Sequence, residues 1–176
     1  MYNKSDLRRS LLASRRAIAS DMRKSCDIAI AERVRAWLQE NPVQSLGVYW
    51  PIRFEPDLRG LYADLSRGGM QLALPVVLGK EAPLGFASWT PGDPLAEDAH
   101  GVPSPVERNW IHPDGLLIPC VGFNADNIRL GYGGGLYDRT LAANPRPLAV
   151  GIAYSSARAS FSAGPHDVAL DVIITD

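Results

Sequence analysis

Residues 116–121 read Leu-Leu-Ile-Pro-Cys-Val, an apolar run in which no polar side chain alternates with the apolar ones. Strands of this kind are typical of a sheet that is buried on both faces, and helical patterns between strands favour parallel pairing. The sequence therefore predicts an α/β fold, a three-layer α/β/α sandwich with a mostly parallel sheet. The other predicted strands lie at residues 46–50, 72–77, 84–89, 148–154 and 172–175.

Two helical patterns precede the first predicted strand. Ser5 is typical of a helix start, and apolar residues recur at helical spacing from there to Ile18. A second pattern begins at residues 20–21 and continues to Gln39. We therefore predict a helical N-terminus.

Helical patterns also lie between the predicted strands. One begins at Pro56 and ends at Gly68, and another covers residues 136–143. Residues 90–113 are rich in proline, glycine and aspartate, so we predict a loop there with at most one short element. We expect residues 1–176 to form a single domain.

The composition excludes several classes of protein. Hydrophobic residues make up 46% of the chain and charged residues 21%, and the net charge of -1 gives no general attraction to nucleic acids or membranes. No stretch approaches the roughly 18 consecutive apolar residues of a spanning helix. The two cysteines, Cys26 and Cys120, lack the spacing of a metal or redox site, and Cys120 is expected to be buried as a small apolar side chain. We expect a cytoplasmic protein with no membrane partner and no nucleic-acid partner.

The first 24 residues are basic, with seven lysines and arginines against two aspartates and thus a net charge of +5. An organellar transit peptide can have the same composition, but a second helical pattern follows here without a cleavage-type break, which favours an ordinary helix. Nucleic-acid binding is a further alternative. It is disfavoured because no aromatic platform is interleaved with the basic residues.

A glycine-rich segment follows the strand at residues 116–121. Residues 129–139 read Arg-Leu-Gly-Tyr-Gly-Gly-Gly-Leu-Tyr-Asp-Arg and lead into a predicted helix. Glycines allow backbone N–H groups to converge on an anion, and a helix N-terminus attracts negative charge. Arg129 and Arg139 could contact phosphate oxygens, and Asp138 is a hard oxygen ligand that suits Mg²⁺. The segment therefore indicates a site for phosphate groups and Mg²⁺.

This segment matches neither of two common nucleotide-binding motifs. A Walker A loop ends in Gly-Lys followed by Ser or Thr, and the pattern G-x-G-x-x-G would need glycine where Leu136 stands. A glycine-rich turn packed tightly against the sheet is the alternative interpretation. Because ligands of such sheets bind beyond the carboxyl ends of strands, the places to examine follow Trp50, Val121 and Tyr154.

The run at residues 129–139, preceded by Leu-Ile-Pro-Cys-Val-Gly-Phe-Asn at residues 117–124, resembles the signature of the 5-formyltetrahydrofolate cyclo-ligase family, also called methenyltetrahydrofolate synthetases. Five such motifs in the same order are more specific than any one of them. The resemblance extends over nearly the whole chain and includes Lys4 with Arg8, residues 49–57, residues 150–154 and residues 166–175.

The resemblance implies an enzyme that closes 5-formyltetrahydrofolate to 5,10-methenyltetrahydrofolate, hydrolyses ATP to ADP and phosphate, and requires Mg²⁺. In that reaction ATP phosphorylates the formyl oxygen, N10 attacks the activated carbon, and phosphate leaves in place of hydroxide. Catalysis of such a transfer is mostly positioning and charge stabilisation. The implied partners are a reduced folate and ATP, and we expect a monomer or a weak homodimer.

The resemblance also implies roles for individual residues. Lys4 and Arg8 are four positions apart and share a helix face, so both could reach ATP phosphates. The residues implied for ATP are Lys4, Arg8, Arg129, Gly131, Tyr132, Gly133, Gly134, Gly135 and Tyr137. Those implied for the substrate are Trp50, Glu55, Tyr132, Gly133, Gly134, Gly135 and Leu136. Asp138 and Asp167 are implied for the metal, and Arg129 and Tyr137 for catalysis.

The chain departs from the family pattern mainly on the expected substrate side. Leu136 stands where an aromatic residue usually precedes the Tyr-Asp pair, and losing a stacking ring costs about 0.5–1.5 kcal/mol. These differences leave open a divergent member that acts on a related substrate, or one that binds ATP or folate without turnover. The other departures are Ser104, Ser156 and Gly164, where the family commonly has glutamate, glutamine and glutamate, and Asn124, where it has aspartate.

Overall fold

The computed structural model describes residues 3–176. Its helices are α1 (Lys4–Ala17), α2 (Ser20–Glu40), α3 (Arg59–Arg67) and α4 (Leu136–Ala142), with a 3₁₀ turn at Ser155–Ala157. Its strands are β1 (Ser45–Gly47), β2 (Gln71–Val76), β3 (Gly85–Ser88), β4 (Leu95–Glu97), β5 (Pro103–Pro105), β6 (Trp110–Ile111), β7 (Gly115–Pro119), β8 (Gly122–Phe123), β9 (Arg129–Leu130), β10 (Leu148–Ile152) and β11 (Val172–Ile174).

Seven strands form the central sheet in the order β11-β10-β7-β1-β2-β3-β6. The first five are parallel, with β7 at the centre and Val150 of β10 opposite Leu117 of β7. Strands β3 and β6 extend one edge in the antiparallel direction. The prediction of a mostly parallel sheet is therefore confirmed.

Helices cover both faces of this sheet, as the uninterrupted apolar strands predicted. Leu117 of β7 packs with Val34 of α2 and Tyr62 of α3 in one buried cluster. Its neighbour Leu116 faces the other way and packs with Leu141 of α4 in a second cluster. Since successive side chains of a strand point to opposite faces, the two clusters are the two interfaces of an α/β/α sandwich.

The N-terminal helices agree with the sequence analysis within a few residues. Helix α1 begins one residue before Ser5, because the side chain of Asn3 accepts a hydrogen bond from the Ser5 N–H at 3.1 Å and caps the helix. The helix predicted from Pro56 begins later, at Arg59. Asp57 Oδ1 accepts the Arg59 N–H at 3.1 Å just before that first turn.

The prediction for residues 90–113 was wrong, since they contain three short strands. Strands β4 and β5 pair as an antiparallel hairpin, and β6 pairs with β3 at the sheet edge. Sequence periodicity could not reveal strands of two or three residues that contain proline and charged side chains. The ribbon of β8 and β9 was also missed for this reason.

Cys120 is buried, as predicted, and burial raises the pKa of its thiol to about 11.

None of the helices in residues 3–176 is both long enough and apolar enough to cross a membrane.

Candidate active site

The segments that follow all three predicted strand ends contribute residues to one site. Trp50 and Glu55 follow β1, and the glycine-rich segment at residues 129–139 follows β7 through the short β8–β9 ribbon. Together they border two cavities. The connection from β10 to β11 also contributes to the first cavity, through Asp167.

The first cavity, which we call the glycine cleft, has a volume of about 200 Å³. Helix α1 covers one side of it and the glycine-rich segment the other. Arg139, which the sequence analysis also offered for phosphate contacts, does not line the cleft, but the structure brings together there all the residues that the family resemblance implied for ATP or for Mg²⁺. They are Lys4, Arg8, Arg129, Gly131, Tyr132, Gly133, Gly134, Gly135, Tyr137, Asp138 and Asp167.

Cationic side chains of α1 reach across the glycine cleft. Arg8 donates from Nε to the carbonyl oxygen of Gly131 at 2.6 Å. Lys4 Nζ lies 2.6 Å from Asp167 Oδ2, which also accepts the Gly164 N–H at 2.7 Å. Partial burial alone would raise the pKa of Asp167, but these two hydrogen bonds and the positive charge of Lys4 outweigh it and hold the pKa below its usual value. Asp167 is therefore an ionised carboxylate at neutral pH.

The glycines shape the wall of the cleft. Gly133 has a φ of 106°, a backbone conformation that side-chain-bearing residues rarely adopt. A Cβ atom at Gly131 would lie only 2.5 Å from Nη1 of Arg129, so the guanidinium of Arg129 lies directly against this glycine. The guanidinium of Arg139 makes a different contact with this segment: its Nη1 donates a hydrogen bond to the carbonyl oxygen of Gly134 at 2.7 Å.

The second cavity, which we call the apolar cavity, has a volume of about 500 Å³. Trp50 lies in its wall, with its ring edge-on to Trp89 and beneath the guanidinium of Arg59 at 5.0 Å. Of the residues predicted for the substrate, the apolar cavity is lined by Trp50, Glu55, Tyr132, Gly134 and Leu136. Gly133 and Gly135 line the glycine cleft only.

The glycine-rich segment separates the two cavities and contributes side chains to both. Arg129, Tyr132, Leu136 and Tyr137 line each of them, as does the backbone of Gly134. A ligand in one cavity would therefore lie against the same residues as a ligand in the other. This arrangement suits transfer of a group between two bound molecules.

Glu55 is the buried carboxylate of the apolar cavity, with 3% of its surface exposed. Its Oε1 accepts the hydroxyl proton of Tyr132 at 2.7 Å, and its Oε2 accepts the N–H of Ile52 at 2.9 Å. Burial raises the pKa of Glu55, although these hydrogen bonds and the charge of Arg15 oppose the shift. A carboxylate held in this way has oxygens oriented for further hydrogen bonds.

Arg129 and Tyr137 form the centre of the shared wall. Arg129 donates from Nε to the carbonyl oxygen of Pro119 at 2.8 Å, and its guanidinium carbon lies 4.9 Å from the centre of the Tyr137 ring. Burial raises the pKa of Tyr137, so its hydroxyl is neutral and able to donate a hydrogen bond. A fixed cation and a neutral hydroxyl are groups that can stabilise developing negative charge.

Sequence reasoning did not single out Arg15, which the structure buries beside Tyr132. Its spacing was a usable signal, because positions 4, 8 and 15 fall on one face of a helix. The turn between β4 and β5 was missed as well. It brings Asp98 and His100 to the rim of the apolar cavity.

The carboxylates of the glycine cleft fit a particular kind of metal site. Within residues 3–176 no three His, Cys, Asp or Glu side chains are clustered closely enough to hold a metal by themselves. Asp138 and Asp167 line the same cleft, and Asp138 Oδ1 also accepts the N–H of Val168 at 3.1 Å. Mg²⁺ is usually held by one or two carboxylates together with substrate phosphates, so this pair fits a metal that arrives with a nucleotide.

Known proteins are similar to this chain in both sequence and architecture. The sequence model of the 5-formyltetrahydrofolate cyclo-ligase family matches residues 1–176. The chain belongs to this family. A cyclo-ligase relative named 5-formyltetrahydrofolate cyclo-ligase, from Mycoplasma pneumoniae, is 32% identical over 180 residues, which are 99% of each chain. One from Mycolicibacterium smegmatis is 31% identical and covers 98% of this chain and 93% of its own.

A solved structure supports the cyclo-ligase assignment. The 5,10-methenyltetrahydrofolate synthetase from Mycoplasma pneumoniae superposes with a TM-score of 0.84 at 30% identity, over 99% of both chains. The predicted resemblance and fold class are therefore confirmed, as is the prediction that the chain is an enzyme of the cyclo-ligase type.

Proposed function

We propose that this cyclo-ligase converts 5-formyltetrahydrofolate to 5,10-methenyltetrahydrofolate in the cytoplasm, as a monomer or weak homodimer, with release of ADP and phosphate from ATP in the presence of Mg²⁺. The observation that carries the proposal is the shared wall between the two cavities. It offers a cationic, glycine-rich surface on one side and an apolar surface with one buried carboxylate on the other.

The glycine cleft supports the nucleotide half of the proposal. Lys4 and Arg8 bring positive charge from α1, and Arg129 brings it from β9. Four of the five residues at 131–135 are glycines, so their backbone N–H groups have no side chain of their own to hinder the approach of phosphate oxygens. Asp138 and Asp167 would hold the Mg²⁺ that accompanies the phosphates.

The apolar cavity supports the folate half. Reduced folates carry a pterin whose pyrimidine ring is flat and has N–H groups at its edge, so they need an aromatic or apolar wall and a hydrogen-bond acceptor. Trp50 and Leu136 provide the apolar wall, and Glu55 provides the acceptor. Tyr132 fixes the orientation of that acceptor through its 2.7 Å hydrogen bond.

The residues of the shared wall would act at the point where the two ligands meet. MgATP supplies the phosphoryl group that turns the formyl oxygen into a leaving group, so that N10 can close the ring and the oxygen departs with phosphate. Arg129 is placed to neutralise charge on the transferred group, and the neutral Tyr137 hydroxyl is placed to donate a hydrogen bond to it. Both side chains are held in position, Arg129 by its hydrogen bond to Pro119 and Tyr137 by packing against the buried cluster that contains Leu116 and Leu141.

The test is a spectrophotometric assay of purified protein with 5-formyltetrahydrofolate, MgATP and matched controls that lack ATP or contain EDTA. ATP- and metal-dependent appearance of the methenyl chromophore is the expected result. ATP binding without product would overturn the proposal and favour a member that acts on another substrate or binds without turnover. Leu136, which occupies the shared wall in place of the usual aromatic residue, is the feature that favours that alternative.

A further inference from the structure

Arg15 of α1 is the most deeply buried arginine of the site, with 6% of its surface exposed. Its Nη2 donates to the Tyr132 hydroxyl at 2.7 Å, and its Nε donates to the carbonyl oxygen of Arg53 at 3.0 Å. Its Nη1 is buried and has no hydrogen-bond partner within residues 3–176. Burying a guanidinium with one nitrogen unsatisfied opposes folding, so stability alone does not account for this arrangement.

The contact between Arg15 and Tyr132 determines where the tyrosine proton points. A guanidinium can only donate, so the Tyr132 hydroxyl accepts from Arg15 and has its single proton left for another acceptor. That acceptor is Oε1 of Glu55, at 2.7 Å. Arg15, Tyr132 and Glu55 therefore form a directed chain of hydrogen bonds that ends on the buried carboxylate of the apolar cavity.

Arg15 also holds the turn that carries Glu55. Arg53 and Phe54 have φ values of 47° and 60°, in a left-handed region that is unfavourable for residues other than glycine. The hydrogen bond from Arg15 Nε restrains the carbonyl oxygen of Arg53, and the Arg53 guanidinium carbon lies 5.0 Å from the Tyr132 ring centre. Such a turn persists only where its surroundings hold it. Arg15 contacts it directly at Arg53 and indirectly, through Tyr132, at Glu55.

Helix α1 carries Arg15 near its C-terminal end and Lys4, a cation of the glycine cleft, at its N-terminal end. Lys4 and Arg15 are eleven residues apart in α1, which corresponds to about 16 Å along a helix axis. Lys4 lines the glycine cleft, whereas Arg15 acts through Tyr132 on Glu55, which lines only the apolar cavity of the two. Loss of Arg15 would therefore disturb the apolar cavity and leave the contacts of Lys4 in place.

We infer that Arg15 is a positioning residue for the substrate carboxylate: it orients Tyr132 and the turn at Arg53 so that Glu55 presents a fixed hydrogen-bond acceptor to the ligand of the apolar cavity. This inference rests on the proposed function for the identity of that ligand, a reduced folate. The contacts themselves do not depend on that identity.

The primary experiment compares Arg15→Met and Arg15→Lys with wild type in steady-state kinetics. Methionine removes the hydrogen bonds but approximates the volume. Lysine keeps the charge but has its donors on a single nitrogen, so it lacks the fixed fork with which Arg15 bonds Tyr132 and Arg53. We expect Arg15→Met to raise the KM for 5-formyltetrahydrofolate about 10- to 100-fold, the usual effect of losing a charge-assisted hydrogen bond. The KM for ATP should change less than about threefold, and Arg15→Lys should lie between wild type and Arg15→Met.

The matched control is Arg16→Met, which removes the same charge from an exposed position one residue away. It should leave both KM values unchanged. Circular dichroism and thermal unfolding establish that each variant is folded. A folded Arg15→Met protein with a wild-type KM for the folate would overturn the inference.

A second readout does not require turnover, so it separates this inference from the proposed function. The carboxyl titration of Glu55 can be followed by ¹³C NMR and assigned with Glu55→Gln. Because the charge of Arg15 lowers the pKa of Glu55, Arg15→Met should raise that pKa, and Arg16→Met should not. An unchanged Glu55 titration would overturn the inference even if wild type is fully active. If wild type makes no methenyl product, the proposed function fails, and the NMR comparison still decides the role of Arg15. The ionisable groups around Glu55 that enter this titration are Arg15, Arg129, Tyr132, Tyr49, Tyr62, Tyr137 and Cys120.

Discussion

Lys4 Nζ lies 2.6 Å from Asp167 Oδ2, so a side chain expected to contact nucleotide phosphates is paired with one expected to hold Mg²⁺. The two side chains are 32% and 23% exposed, and ion pairs at such sites contribute only about 0–1 kcal/mol to stability. The main effect of the pair is therefore to fix the positions of a positive and a negative charge in the glycine cleft, not to stabilise the fold. A Cβ atom at Gly164 would lie 3.5 Å from Lys4 Nζ, so the family departure at Gly164 lies directly beside this pair.

Lys4→Met should weaken nucleotide binding and leave the fold intact. We expect the KM for ATP to rise about 10- to 100-fold, because one charge-assisted contact to phosphate is lost, and the KM for the folate to change little. Steady-state kinetics at saturating concentrations of the other substrate measure both values. Lys24→Met, which changes an exposed lysine of α2, is the matched control. Equal effects of the two substitutions would remove Lys4 from the nucleotide site.

Asp138→Asn should lower turnover through its effect on the metal. Asparagine keeps the shape and can still accept the Val168 N–H that Asp138 Oδ1 now accepts at 3.1 Å, but it loses the negative charge that Mg²⁺ prefers. We expect the Mg²⁺ concentration for half-maximal rate to increase at least about tenfold, with partial recovery at high Mg²⁺. Asp126→Asn changes an exposed loop aspartate and serves as the control. Full activity of Asp138→Asn at low Mg²⁺ would mean that the metal is held elsewhere.

Glu55→Gln should change both folate binding and the pH dependence of stability. Burial raises the pKa of Glu55 in the folded protein, so the folded state binds more protons than the unfolded state between the usual and the raised value. The free energy of unfolding contributed by Glu55 therefore falls as pH rises through that interval. Urea unfolding between pH 4 and pH 8, expressed as the difference between wild type and Glu55→Gln, measures this slope.

Two outcomes of the Glu55→Gln comparison would contradict this account. The first is an unfolding free energy of wild type that increases relative to that of Glu55→Gln as pH rises. It would show that the hydrogen bonds and the charge of Arg15 stabilise the carboxylate more than burial destabilises it. A KM for ATP that rises more than the KM for 5-formyltetrahydrofolate would place Glu55 on the nucleotide side.

The parts of the fold that sequence reasoning found are those governed by burial and local periodicity. The run at residues 116–121 is apolar because β7 is an interior strand of a sheet covered on both faces, which predicts its location directly. Strands β4 and β5 were not predicted because each has only three residues. They are strands because they pair with each other, and no local sequence pattern indicates that pairing.

The candidate site also contains residues that sequence reasoning could find and residues that it could not. The glycine-rich segment was recognisable because its residues are contiguous, whereas the role of Arg15 depends on Tyr132, which is 117 residues away in the chain. No local pattern distinguishes Arg15 from its exposed neighbour Arg16 except helical spacing from Lys4 and Arg8. Burial of a particular arginine follows from tertiary packing, which is why the structure was needed to identify it.

Leu136→Tyr should improve binding of the folate if the apolar cavity is its site. Leu136 lies in the shared wall, and a ring there could stack on a pterin and contribute about 0.5–1.5 kcal/mol, which corresponds to a KM lower by about two- to tenfold. The comparison needs Leu136→Met as a control, because methionine adds length without an aromatic face. An unchanged KM in Leu136→Tyr together with unchanged kcat would mean that the substrate does not touch this wall. A lower kcat for 5-formyltetrahydrofolate with a lower KM would instead indicate that the smaller leucine leaves space that turnover requires.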